Sequence, residues 1–208
     1  MSGRVERYGL NALVFILFSI GCSVGAGEGE IRGSLRILDC NVDISNYSLN
    51  PTFFAVDYGD DPDNLPERRV PFCVIRVQRG SYFESFSDGL LLTVHRLHEV
   101  AENWIGRAIE IHGSSPSLVS LTFYAQESCE AGYPKEHWRV PVVLRAQSGR
   151  IIFRALHIPG RGQSLPEIWV ELEDLLFSHP TEAERRMARL SGFFRFRYQR
   201  GSPAQLFP

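Results

Sequence analysis

The chain has 208 residues, of which 44% are hydrophobic and 22% charged, and a formal net charge of −2. This balance suits one globular domain with a sizeable core. With an isoelectric point of about 6.3, it excludes a dedicated nucleic-acid binder, which carries a basic face and a high isoelectric point. Lys135 is the only lysine among 22 basic residues. Such an arginine bias follows from GC-rich codons and points to a GC-rich bacterium. In a eukaryotic secreted chain, Asn46-Tyr47-Ser48 would be a glycosylation sequon.

The amino terminus reads as an export leader. Arg4 and Arg7 precede the apolar run 12–20, and small residues follow from Gly21 to Gly27. A basic start, a short apolar core and a small-residue exit form a secretory signal. The core falls short of the roughly 20 residues of a membrane span, so an uncleaved signal anchor is the weaker reading. Two cleavage sites compete. Val24-Gly25-Ala26 suits an ordinary signal peptidase. Ser19-Ile20-Gly21-Cys22 resembles a bacterial lipoprotein box, in which Cys22 would take a lipid, although Ser19 stands where an aliphatic residue is usual. The expected organisation is a signal over 1–26, a Gly-rich tether over 27–33 and a single β-rich domain over 34–208.

The spacing predicts a first strand over 31–40, a polar turn over 41–52, a short strand over 53–58 and an acidic Gly/Pro loop over 59–66. A strand over 70–78 is expected to be buried on both faces. In 87–104, Leu90, Leu91, Val94, Leu97, His98 and Ala101 follow a helical stripe, which favours helix over a strand at 90–97. Short strands are expected over 108–112, 118–125, 140–146, 151–158 and 168–176. Gln147-Ser148-Gly149-Arg150 reads as the hairpin turn joining two of them. Thr181 and Glu184 have capping-box spacing and predict a short helix over 182–190. In the last strand, 193–198, Phe194, Phe196 and Tyr198 alternate with Arg195 and Arg197, giving an aromatic core face and a cationic outer face. The expected fold is mainly β, a β-sandwich or flattened barrel of about eight or nine strands with one or two helices.

Outside the leader, Cys40, Cys73 and Cys129 predict one disulfide and one buried thiol, with the pairing open. Their spacing does not suit zinc.

Several constellations are candidate sites. Tyr133, His137 and Trp138 lie on a loop between strands, where flat rings offer a ligand surface at low entropy cost. They are the leading ligand-binding candidates, while Trp138 as a core plug is the plainer reading. His95, His98, Glu99 and Glu102 lie at helical spacing but lack a zinc-protease signature, so a solvated face is favoured over a metal site. The acidic run from Asp57 to Asp63 could hold calcium, but its spacing is not that of an EF-hand. Arg76, Arg145, Arg154, Arg195 and Arg197 form either an anion-binding face or cross-strand ion pairs with residues such as Glu171 and Glu173, and the pairs are favoured.

Catalytic signals are weak. Ser114-Ser115-Pro116-Ser117 is a turn and not a nucleophile elbow. A Cys129/His137 pair suffers if Cys129 is in a disulfide. Glu167, Glu171, Glu173 and Asp174 are the carboxylates on which a glycoside hydrolase would draw. The residues thus favour a non-enzymatic binding or assembly module, exported to the periplasm or tethered at the outer membrane of a bacterium, or otherwise extracellular. Its expected partner is a protein or glycan of the envelope, with no cofactor, metal or nucleic acid. The alternative is a secreted hydrolase acting on glycan or peptide.

Overall fold

The computed structural model describes residues 23–60, 71–80, 87–113, 118–130, 141–159 and 166–198. Ten strands follow in chain order: β1 (Ser23–Ile37), β2 (Val42–Leu49), β3 (Phe53–Asp60), β4 (Pro71–Gln78), β5 (Gly89–Val94), β6 (Ala108–Glu110), β7 (Val119–Ala125), β8 (Val142–Leu156), β9 (Glu167–Ser178) and β10 (Arg186–Tyr198). Two short helices, α1 (Leu97–Asn103) and α2 (Glu127–Glu130), interrupt them. Every pairing is antiparallel, and the order β10-β9-β8-β7-β5-β4-β3-β1 closes on itself through β1 and β10. The result is an eight-stranded closed barrel, with β2 added beside β1 and β6 beside β8.

The barrel is flattened because its long strands change neighbours along their length. β1 pairs with β3 through Ser23–Gly25 and with β2 through Ile31–Ile37. β8 pairs with β7 at residues 142–145 and with β6 at residues 150–152. Strands that pass from one sheet to another through a bulge make the corners of such folds. In β8 the corner is Gly149, whose φ of +116° a side-chain-bearing residue rarely adopts. The turn expected at 147–150 is therefore a bend inside one continuous strand. Its ladder to β9 breaks on both sides of Ser148.

One apolar cluster fills the interior, and Phe54, Phe123, Phe153, Phe177, Phe194 and Phe196 are all fully buried in it. The alternation in β10 holds as expected, with Phe194, Phe196 and Tyr198 inward and Arg195 and Arg197 outward. Glutamates and arginines alternate outside. Arg150 pairs with Glu173 at 2.8 Å, Arg154 with Glu171 at 2.9 Å, and Arg195 with Glu167 at 2.5 Å. Among the described residues no helix is long and apolar enough to cross a membrane.

Five further expectations are corrected. The Gly-rich stretch 27–33 is the middle of β1, not a tether. Gly25, Gly27 and Gly29 leave the strand bare where the phenylalanines of β10 lie against it, and a Cβ at Gly27 would stand 2.3 Å from that of Phe196. Aromatic cover of this kind compensates glycine in a strand. Residues 41–52 contain β2 instead of a turn, because Val42, Tyr47 and Leu49 bury against the core. The stripe in 87–104 divides into β5 and α1. Leu90, Leu92 and Val94 alternate inward and pair with both β4 and β7, and that tertiary pairing overrides the helical spacing. No helix forms over 182–190: β10 begins at Arg186, while Glu182 only closes a turn by accepting from the Arg185 and Arg186 amides. In β4 one face is buried, through Cys73, Ile75 and Val77, and the other is half-buried.

Cys40 and Cys129 form a disulfide, and Cys73 is a free, buried thiol. Burial pushes the Cys73 thiol well above its ordinary range. Close to this bridge in the chain lies a buried polar knot. Asp88 is 1% exposed, and its carboxylate accepts from the Gln126 and Ser128 amides at 2.8 and 3.1 Å, from the Ser128 hydroxyl and from Tyr47 Oη at 2.8 Å. Four donors satisfy a charge that would otherwise be costly to bury. Arg79 borders the knot, donating to Glu127 at 3.0 Å and to the Ser48 carbonyl at 2.7 Å.

Candidate functional site

A groove of about 660 Å³ crosses the outer surface where β2, β1, β10 and β9 lie side by side. Its floor follows from strand periodicity. Arg32 and Ser34 point outward on either side of Gly33, and Arg189 and Ser191 do so on either side of Leu190. The register sets Arg32 opposite Ser191 and Ser34 opposite Arg189, so each guanidinium faces a hydroxyl across the ladder.

Two bulges raise the walls. On β2, Gly33 faces Tyr47 while Leu35 faces Ile44, so Ser45 and Asn46 together oppose Ser34. On β9, Leu190 faces Leu175 while Gly192 faces Leu172, so Glu173 and Asp174 together oppose Ser191. Asp174 takes a φ of +47°, a conformation that Asp tolerates better than most residues. Its amide donates to Ser191 Oγ at 2.9 Å and fixes the bulge. The extra residue also switches the inward positions of β9 from Ile168, Val170 and Leu172 to Leu175 and Phe177. Bulges re-aim side chains in this way beside functional surfaces.

The groove gathers two guanidinium groups, four serine hydroxyls, one amide and one carboxylate. Arg32 pairs with Glu30 on its own strand, and its side chain stays 71% exposed. Arg189 makes no ion pair among the described residues and is exposed. Beneath them Tyr47 is buried, with its hydroxyl held by Asp88. Burial, and then the Asp88 charge, push the Tyr47 phenol well above its ordinary range. It is thus a neutral donor that pins the floor. The lining contains no His or Cys; its hydroxyls are those of the four serines and Tyr47, and its carboxylate is that of Asp174. Its fixed donors and acceptors suit a ligand with many hydroxyls.

The sequence-derived candidates lie elsewhere. Tyr133, His137, Trp138 and Cys22 fall outside the described residues, as do Asp61, Asp63 and the serines of 114–117. Asp57 is exposed on β3. His95 precedes α1, and its Nε2 lies 2.8 Å from Ser120 Oγ. His98 and Glu99 are on the helix, and no group of three His, Cys, Asp or Glu side chains converges for a metal among the described residues. Cys129 is in the disulfide and so cannot act as a nucleophile with His137. Arg154 and Arg195 serve in cross-strand ion pairs, and Arg195 also stacks on Trp169 with its guanidinium carbon 5.0 Å from the ring centroid. Arg197 shares Glu167 at 3.7 Å. Arg145 and Arg76 are on other strands, away from this ladder.

Sequence reasoning singled out Asp174 only as a candidate hydrolase carboxylate and Asn46-Tyr47-Ser48 only as a sequon, and did not bring the groove together. The available signal was the pair of outward Arg/Ser dyads flanking one residue, Arg32-Gly33-Ser34 and Arg189-Leu190-Ser191. Comparison with known protein families, with curated proteins and with solved structures finds no match for this chain.

Proposed function

We propose that this chain is an exported, non-enzymatic binding module of the cell envelope, and that the groove between its two bulges takes a glycan. The observation that carries the reading is the quartet Arg32, Ser191, Ser34 and Arg189, framed by Asn46 and Asp174. Guanidinium forks, an amide and a carboxylate on a rigid sheet can share vicinal hydroxyls among them. The export part rests on the leader read in residues 1–26.

A hydrolase reading needs two carboxylates facing each other across the scissile bond. Glu167, Glu171 and Glu173 are instead each salt-bridged to arginine on an open outer face. Asp174 is the one carboxylate that lines the groove. This supports binding over turnover.

The test is calorimetric titration of the purified domain with soluble oligosaccharides released from envelope polysaccharide. Asp174→Asn keeps the backbone preference, and Arg189→Gln keeps the length. Each removes a charge-assisted hydrogen bond worth about 1.5–3 kcal/mol, so affinity should fall roughly 10- to 100-fold. Unchanged affinity in both variants would overturn the assignment of the groove. Release of new reducing ends would favour the hydrolase.

A further inference from the structure

We infer that maturation spares residues 23–26: the leader is cut at the Gly21–Cys22 bond, on the amino-terminal side of β1, and not after Ala26. This rests on the export reading above and chooses between the two cleavage sites that the sequence offers.

The argument lies in how the barrel closes. Among the described residues β1 meets β3 only through Ser23 opposite Val56, Val24 opposite Ala55 and Gly25 opposite Phe54. Gly25 also faces Tyr198, and Ala26 faces Arg197, at the end of the β10 ladder. A cut after Ala26 removes the whole β1–β3 ladder and the last two pairs with β10. The barrel would then stand open between β3 and β10.

The exposed edge would be a poor one to leave bare. Phe53, Phe54, Ala55 and Val56 are all buried, at 8%, 1%, 3% and 1% exposure. Phe54 stacks on Phe196 across the seam, with ring centroids 5.4 Å apart. An apolar strand with free amides and carbonyls along one side is a template for aggregation. Hydrolysis at Gly21–Cys22 consumes one water, leaves a carboxylate on Gly21 and an amine on Cys22, and keeps every pairing. The small residues of 23–27, which resemble a peptidase exit site, then have a structural use. They thread a bare strand beneath the aromatic rings of β10.

Two measurements test this. The first is the intact mass of the mature protein isolated from its native host. A chain beginning at Cys22 supports the inference, and one beginning at Gly27 overturns it. A chain retaining Met1 overturns the cleavage, and its recovery from the cytosolic fraction would overturn the export reading as well, so the fractionation separates that failure from the choice of bond. The second compares two chains produced without the leader, one starting at Ser23 and one at Gly27. The shorter should melt lower by roughly 5–10 °C, as expected for several lost ladder bonds in a domain of this size, and should aggregate through β3. Equal melting midpoints and equal solubility would overturn the closure argument.

Discussion

Replacing Asp88 with Ala tests the polar knot beneath the groove. The substitution leaves Tyr47 Oη, whose residue is 5% exposed, without the acceptor now 2.8 Å away. A buried hydroxyl left unpaired costs about 1–3 kcal/mol. The Gln126 and Ser128 amides lose their acceptor at the start of α2, which adds about 1 kcal/mol, the usual value of a lost helix cap. The sum is about 3 kcal/mol, or a fall in melting midpoint of roughly 6–12 °C for a domain of this length. Urea unfolding followed by tryptophan fluorescence should show a lower midpoint with an unchanged slope, since the surface exposed on unfolding is the same. The reasoning also predicts coupling. In a Tyr47→Phe background no hydroxyl is left stranded, so Asp88→Ala should cost about 1–2 kcal/mol less than in the parent. A loss under about 0.5 kcal/mol for Asp88→Ala, or two additive substitutions, would refute the claim that this carboxylate is held by the phenol.

Reduction of the Cys40–Cys129 bridge, which spans 89 positions, should lower stability by about 4–5 kcal/mol on the loop-entropy scale; urea titrations with and without reductant measure it. Cys73 should resist thiol reagents in the native state and react once the chain is unfolded, because its thiol is buried and held protonated. Asp39 accepts from Arg185 at 2.8 Å and from Arg186, and these bonds hold its carboxyl below the ordinary range. A depressed folded value means stability that is present above the unfolded value and lost as pH falls through the folded one. Asp39→Asn should therefore flatten the acid limb of the stability curve below about pH 4 and leave its slope near neutrality unchanged. Gly149→Ala should cost at least about 2 kcal/mol, because its Cβ would sit 2.7 Å from the Asp174 carbonyl oxygen at a positive φ; a thermal melt within a degree of the parent would contradict this.

The legible parts of the fold were those where one physical rule acts alone. Phe194 to Tyr198 alternates because one side meets the core and the other water, and no competing pattern obscures it. The β-rich class and the count of strands followed from many such runs. Residues 27–33 were misread because glycine has two meanings. It marks a flexible tether in isolation, and a bare strand when aromatic residues from the far end of the chain lie over it. Nothing local separates the two except the period-2 spacing of Gly25, Gly27 and Gly29. Leu90 to Ala101 failed for a related reason, since the strand and the helix abut and their apolar positions merge into one stripe. Gln147 to Arg150 has the composition of a turn, but a barrel corner demands the same residues. The groove was hidden because Arg32, Asn46, Asp174 and Arg189 come from four strands and become neighbours only through register and two bulges.

The seam between β1 and β10 runs through thirteen consecutive residue pairs, from Gly25 with Tyr198 to Ile37 with Arg186. It joins the first described strand to the last, so the barrel is a ring that β10 must lock. At roughly 5–20 residues per second, the first strand waits on the order of ten to thirty seconds for its partner to be synthesised. Pairings this distant also make folding intrinsically slow once the chain is complete. Closure of the ring can therefore only follow the synthesis of Tyr198, whatever the earlier strands have already paired with.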